Sequence, residues 1–152
     1  MAHSMSDEEI ATFLESRPAR TGKLATVRAD GRPHIAPIWF ALDRSTAGLD
    51  APIGDVVLNT GATTVKGKNL LHDPRVALCV DDDTPPFTFV MLECTATVSE
   101  EPDELLHWAT VLGGRYMGDE VAAEFGARNA VPGELVVRLR PTRITGSAAV
   151  AD

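Results

Sequence analysis

Three threonines and two lysines follow an apolar strand in the run Leu58-Asn59-Thr60-Gly61-Ala62-Thr63-Thr64-Val65-Lys66-Gly67-Lys68. Residue types of this kind bind anions. Hydroxyls at Thr60, Thr63 and Thr64 can donate to phosphate oxygens, and the ammonium groups of Lys66 and Lys68 neutralise them. A helix starting near Thr64 adds outward-facing amides and a partial positive charge. The same run also describes a Thr-capped helix with two solvated lysines. The neighbouring elements have to decide between the two.

Upstream, His34 to Leu42 reads as a strand returning from the Asp30-Gly31 hairpin turn, and it contains Pro37. Proline cannot donate to a ladder, so the strand is expected to break or run along an open edge there. Backbone freed at the break would be available to a ligand. Elsewhere Ser6-Asp7-Glu8-Glu9 reads as a capping box opening a helix that Pro18 ends. Lys23 to Arg28, Val56 to Thr60, Val76 to Val80, Phe87 to Val98 and Glu134 to Leu139 read as strands. Asp81-Asp82-Asp83 with Pro85-Pro86 reads as a polar turn. Pro102 starts a helix through Leu112 that Gly113-Gly114 is expected to end or kink, and Asp119 to Phe125 reads as a second helix.

About six strands, mostly joined by hairpins, point to a mainly β fold: a small antiparallel barrel with peripheral helices. Residues 1–20 form an N-terminal segment and helix, residues 21–146 the barrel domain, and residues 147–152 a tail. Met1-Ala2-His3-Ser4 reads as a non-native remnant before a natural start at Met5.

The 152 residues, 44% hydrophobic and 24% charged, suit one soluble domain. A net charge of −8 argues against nucleic acid and against an anionic membrane surface. No run approaches the ~20 apolar residues of a membrane span, and no signal peptide is legible at the N-terminus. Cys79 and Cys94 sit in apolar runs, as buried thiols do in a reducing cytoplasm. His3, His34, His72 and His107 are scattered, so no metal site is expected, and Asp81 to Asp83 read as solvated acids. No nucleophile–base pair is evident. Tyr116, the only tyrosine, is expected to pack beside Arg115 or to reach a substrate.

Five segments, in order, resemble one family. They are Leu24-Ala25-Thr26-Val27-Arg28-Ala29-Asp30-Gly31-Arg32-Pro33-His34; Ala36-Pro37-Ile38-Trp39-Phe40; Lys66-Gly67-Lys68-Asn69-Leu70-Leu71-His72-Asp73-Pro74-Arg75-Val76; Glu93-Cys94-Thr95-Ala96-Thr97-Val98; and Arg138-Leu139-Arg140-Pro141-Thr142-Arg143-Ile144. Across Thr21 to Gly146 the chain resembles the pyridoxamine-phosphate-oxidase-like split-barrel flavoproteins, and most closely their actinobacterial deazaflavin-dependent branch.

The resemblance implies a six-stranded antiparallel split β-barrel of the FMN-binding type, dimeric, with a cofactor groove between two copies. It places the cofactor phosphate at Thr60, Thr64, Lys66 and Lys68, with Asn59 and Thr63 as further cofactor contacts, and the ring along Ala36, Pro37, Ile38 and Trp39. Phe87 and Thr88 would come from the second copy, with Arg115 and Arg128 as further candidates there. The implied cofactor is coenzyme F420, with FMN as the alternative. The implied activity is hydride transfer from reduced deazaflavin to a tetrapyrrole, quinone or enone. An FMN-dependent enzyme, or a non-catalytic flavin, deazaflavin or haem carrier or sensor, is the alternative. The closing residues Ala148-Ala149-Val150-Ala151-Asp152 offer no basic group for pyridoxamine phosphate, which is therefore not the expected substrate.

Overall fold

Ser6 opens the first helix by reciprocal capping: its hydroxyl accepts the Glu9 N–H at 3.2 Å, and the Glu9 carboxylate accepts the Ser6 N–H at 2.7 Å. Two amides without helical partners are thereby satisfied. In the computed structural model, which describes residues 1–152, the elements run β1 (His3–Ser4), α1 (Asp7–Glu15), β2 (Gly22–Val27), β3 (Pro33–Ile38), β4 (Ala41–Asp43) and β5 (Asp55–Gly61). There follow α2 (Val65–His72), β6 (Arg75–Asp82), β7 (Thr88–Ser99), α3 (Pro102–Met117), α4 (Ala122–Asn129) and β8 (Glu134–Ala148).

All strand pairs are antiparallel, in the order β3-β2-β6-β7-β8-β5-β4, with β1 added beside β8. The two edge strands, β3 and β4, are consecutive in the chain. The cylinder is therefore completed by the covalent bend at Trp39-Phe40, not by a ladder, and this makes the barrel split. With β3 and β4 counted as one bent strand there are six principal strands. Pro37 lies within β3 opposite Lys23, and the break comes two residues later. An edge strand tolerates the proline because its outer amides have no partner to lose.

Three local expectations are corrected. Asp81 and Asp82 are not in a turn: they extend β6 opposite Phe89 and Thr88, and pair with Lys23 at 2.6 Å and Arg20 at 3.0 Å. Neighbouring cations from the β2 side make that charge acceptable in a strand. β8 does not stop at Leu139 but runs to Ala148. Its Pro141 falls at the register shift opposite Cys94, where a bulge needs no N–H from it. α3 does not end at Gly113-Gly114. A Cβ on Gly113 would lie 2.6 Å from the Cβ of Phe125, so the glycines let α4 pack closely against an unbroken helix.

Inward residues of the strands, among them Leu24, Phe40, Leu58, Leu78, Leu92 and Leu139, fill the barrel, and Ile10 and Leu14 of α1 join the same core. Val57 and Val136 face outward beneath Leu105, Trp108 and Leu112, so β5 is buried on both faces and α3 is fixed to the barrel wall. Arg138 of β8 reinforces that junction. Its guanidinium donates to Asp43 at 2.8 Å and Glu104 at 2.9 Å, and lies over the Trp108 ring. Burial pushes the Asp43 carboxyl up, but hydrogen bonds from Ser45 and Arg138 outweigh it and hold it below the usual carboxylate range.

A carboxyl whose folded pKa is depressed adds stability above its unfolded value, about 3.9, and loses it as pH falls through the lower folded value. Asp43→Asn is expected to lower Tm near neutrality and to flatten the decline of Tm below about pH 4. Calorimetric scans across acid pH check this; a variant curve parallel to the parent's in that range would remove Asp43 from the account.

Candidate functional site

The Thr–Lys run forms the junction between β5 and α2. Thr64 caps the helix: its hydroxyl accepts the Gly67 N–H at 3.0 Å and donates to the Gly61 carbonyl at 2.8 Å. The Thr60 hydroxyl, 3.2 Å from that of Thr64, lies buried beneath. Gly67 lets the first turn rest on the Gly61 carbonyl, since a Cβ there would sit 2.1 Å from that oxygen. The hydroxyls of Thr60 and Thr64 thus build the junction, and Thr63 remains exposed beside it. By their position the amides of Val65 and Lys66, the first two helical residues, have no partner inside the helix.

Residues two apart point to different sides of a helix, and α2 separates its two lysines accordingly. Lys66 lines a cavity of about 260 Å³ with Pro37, Ile38, Trp39, Asn59 and Glu134, under Ala109 and Leu112 of α3. Lys68 lines a different cleft, with Arg28, Arg32 and His72. Of the twelve residues read as cofactor contacts, five share the first cavity: Pro37, Ile38, Trp39, Asn59 and Lys66. Ala36 precedes them on β3. Phe87 and Thr88 sit at the β6–β7 turn and line neither space.

Tyr116 is the residue whose role the sequence did not disclose. Its hydroxyl accepts the Phe40 N–H at 3.1 Å and donates to the Arg20 carbonyl at 2.7 Å. Its ring stacks on Trp39 with centroids 5.0 Å apart and planes within 1°. Part of the backbone released at the bend is therefore claimed by Tyr116, leaving Pro37 to Trp39 facing the cavity. An aromatic on the last turn of α3 was the only available signal. Arg115 is likewise occupied, donating to the carbonyls of Leu14 and Glu15 at the end of α1.

Lys66 makes no ion pair, and Glu134 is the one acid lining its cavity. No serine, cysteine, histidine or tyrosine lines it. Burial pushes the Cys94 thiol up to about 12, so it stays protonated in the core, and burial raises Cys79 as well. No three His, Cys, Asp or Glu side chains cluster in metal-binding fashion. The Lys66 ammonium and an indole wall can hold an anion joined to a planar group, and Glu134 is the one side chain there that could act as a base. The reacting atoms have to come from what is bound.

Tyr116→Phe keeps the stack on Trp39 but strands the Phe40 amide. It is expected to cost about 1–3 kcal/mol in urea denaturation and to change Trp fluorescence; unchanged stability would mean that water replaces the hydroxyl without loss.

A family model for pyridoxamine 5'-phosphate oxidase matches residues 6–148. Among solved structures, the conserved hypothetical protein Rv2991 from Mycobacterium tuberculosis is 33% identical, with a TM-score of 0.76 over 93% of this chain and 84% of that one. An F420 reductase, 24% identical, has a TM-score of 0.63 over 88% of this chain and 94% of its own. The haem storage protein HutZ from Vibrio cholerae, 20% identical, has a TM-score of 0.64 over 90% and 91%. At these identities the last two share the fold. No curated protein matches. With the match covering nearly the whole chain and the split barrel in place, the chain belongs to the pyridoxamine 5'-phosphate oxidase family.

Proposed function

We propose that the chain is a reductase using coenzyme F420, working as a homodimer on an electron-poor double bond in a small molecule such as a tetrapyrrole, quinone or enone. One juxtaposition carries this reading. The unpaired Lys66, in the first turn of α2, lines a cavity walled by Trp39, with no serine, cysteine, histidine or tyrosine in its lining. These residues fit an anionic cofactor with a planar ring. When bound, a reduced deazaflavin supplies the hydride. Lys66 and the amides of Val65 and Lys66 would hold its phosphate. The backbone of Pro37 to Trp39 and the Trp39 indole would orient the ring edge and keep water from one face.

A cavity of about 260 Å³ falls below the range of roughly 300–1,000 Å³ usual for small-molecule sites. One chain therefore supplies one side, and a second copy would bring Phe87 and Thr88 to the other. The outer face of β3, β2, β6 and β7 offers a surface for that copy. Ile35, Ala25, Ala77 and Met91 make an apolar patch there, rimmed by Lys23, Glu93 and Arg143, with Ile35 68% and Met91 48% exposed. FMN, with its single phosphate, is the alternative ligand for the same contacts. A carrier role is the alternative reading, suggested by the fold shared with a haem storage protein.

Fluorescence titration of apo protein with F420 and FMN tests the cofactor. F420 is expected to bind more tightly, and Lys66→Ala to weaken it by about tenfold or more, or about 1.5–3 kcal/mol; equal affinity of variant and parent would sink the phosphate assignment. Oxidation of reduced F420 with a panel of acceptors separates enzyme from carrier, since a carrier binds tightly and shows no acceptor-dependent oxidation.

Ile35→Asp with Met91→Asp is expected to give monomers in light scattering and to weaken cofactor binding in parallel. Monomers that bind as the parent does would exclude a shared groove.

A further inference from the structure

A carboxylate lies at the end of the Lys66 cavity read as the anion site. Glu134 opens β8 opposite Gly61 in the β5–β8 ladder. A Cβ on Gly61 would lie 3.5 Å from Oε1 of Glu134 and 3.4 Å from Cγ2 of Thr64. The carboxyl therefore overhangs the junction from which α2 starts, and it lines the same cavity as Lys66. Neither Glu134 nor Lys66 makes an ion pair. No other titratable side chain lines the cavity: what β3, the bend and α3 contribute is apolar or aromatic, and β5 and α4 contribute the amides of Asn59 and Asn129.

One cation and one anion thus face whatever binds at the helix start. A phosphodiester carries a single negative charge, which one ammonium can balance. A phosphate monoester carries about 1.5 to 2 negative charges at pH 7, because its second ionisation lies near pH 6. The excess has to sit beside the Glu134 carboxylate, and like charges at such short range repel.

We propose that Glu134 sets which phosphate the cavity accepts, admitting a phosphodiester and disfavouring a monoester through charge. The proposal rests on the reading of Lys66 as the phosphate anchor. It gives a preference for F420, a phosphodiester, over FMN, a monoester, a cause in this chain's own residues. Rejection by a fixed like charge is a general route to specificity, since it weakens the wrong ligand more than the right one.

The test uses three flavins that differ only at the phosphate: FMN, its methyl phosphodiester and phosphate-free riboflavin. Each is titrated by fluorescence into the parent, Glu134→Gln, Glu134→Ala and Lys66→Ala. Glu134 is half-buried, glutamine keeps its shape, and circular dichroism verifies the fold of every variant. The parent is expected to bind the methyl ester about three- to tenfold more tightly than FMN at about pH 8 and low salt. The preference should shrink as salt screens the charges, and as pH falls below about 6, where FMN loses its second charge. Both Glu134 variants should erase the difference, chiefly by tightening FMN.

Equal affinity for the two esters in the parent overturns the proposal, as does a preference that survives in both Glu134 variants. A preference unchanged between about pH 5.5 and pH 8 also overturns it, because size and not charge is then being read. These three outcomes leave the Lys66 anchor standing. Riboflavin that binds the parent as tightly as the methyl ester does, or a methyl ester that Lys66→Ala binds unchanged, overturns the anchor and the proposal with it. If neither ester binds the parent or a Glu134 variant, both readings fall.

Discussion

The bend at Trp39-Phe40 is the constraint on which the rest of the structure depends. Edge strands β3 and β4 are consecutive, so the chain completes the barrel covalently, and the residues that make the passage leave the ladder. A buried amide left without a partner costs about 1–3 kcal/mol, and Tyr116 removes that cost by accepting from Phe40. Tyr116 is held there because α3 packs on the outward faces of β5 and β8 through Val57 and Val136. The stack of Trp39 on Tyr116, flanked by Phe125 of α4, then sets the indole as a fixed wall of the cavity. The helical pair thus does more than cover the barrel: it keeps the split open in a defined shape.

At the other end of the cavity the same economy applies to α2. Its threonines hold the helix onto β5, and Gly67 allows the approach. What remains for a ligand is what a helix start offers: free amides, a favourable dipole and the lysine on that side. An eight-residue helix with lysines two apart faces two directions at once, toward the Trp39 cavity and toward the basic cleft. An acidic protein can therefore concentrate positive potential in one short segment.

A lining without hydroxyl, thiol or imidazole makes sense where the bound group carries the reactive atoms, because the protein then needs only to position it and exclude water.

Local chemistry was legible where a residue's partners lie within a few positions. The Ser6–Glu9 capping box, the Asp30-Gly31 turn, the inward alternation of Leu24 and Thr26, and the Thr64 cap follow from short-range sterics and hydrogen bonding. The split barrel and the meeting of Pro37, Trp39 and Lys66 were legible through the order of motifs. Other features depended on neighbours distant in sequence. Gly113-Gly114 is helical because Phe125 needs the space, Pro141 is tolerated in β8 because of a bulge opposite Cys94, and Asp81 and Asp82 extend β6 because Lys23 and Arg20 lie alongside. The assignment of Tyr116 to the bend and the parting of Lys66 from Lys68 were likewise settled by packing. By itself the sequence determined which segments become strands and helices and which residues could bind an anion. Only the tertiary structure decided which of those residues face the same space, because the direction of a side chain is set by the elements packed around it.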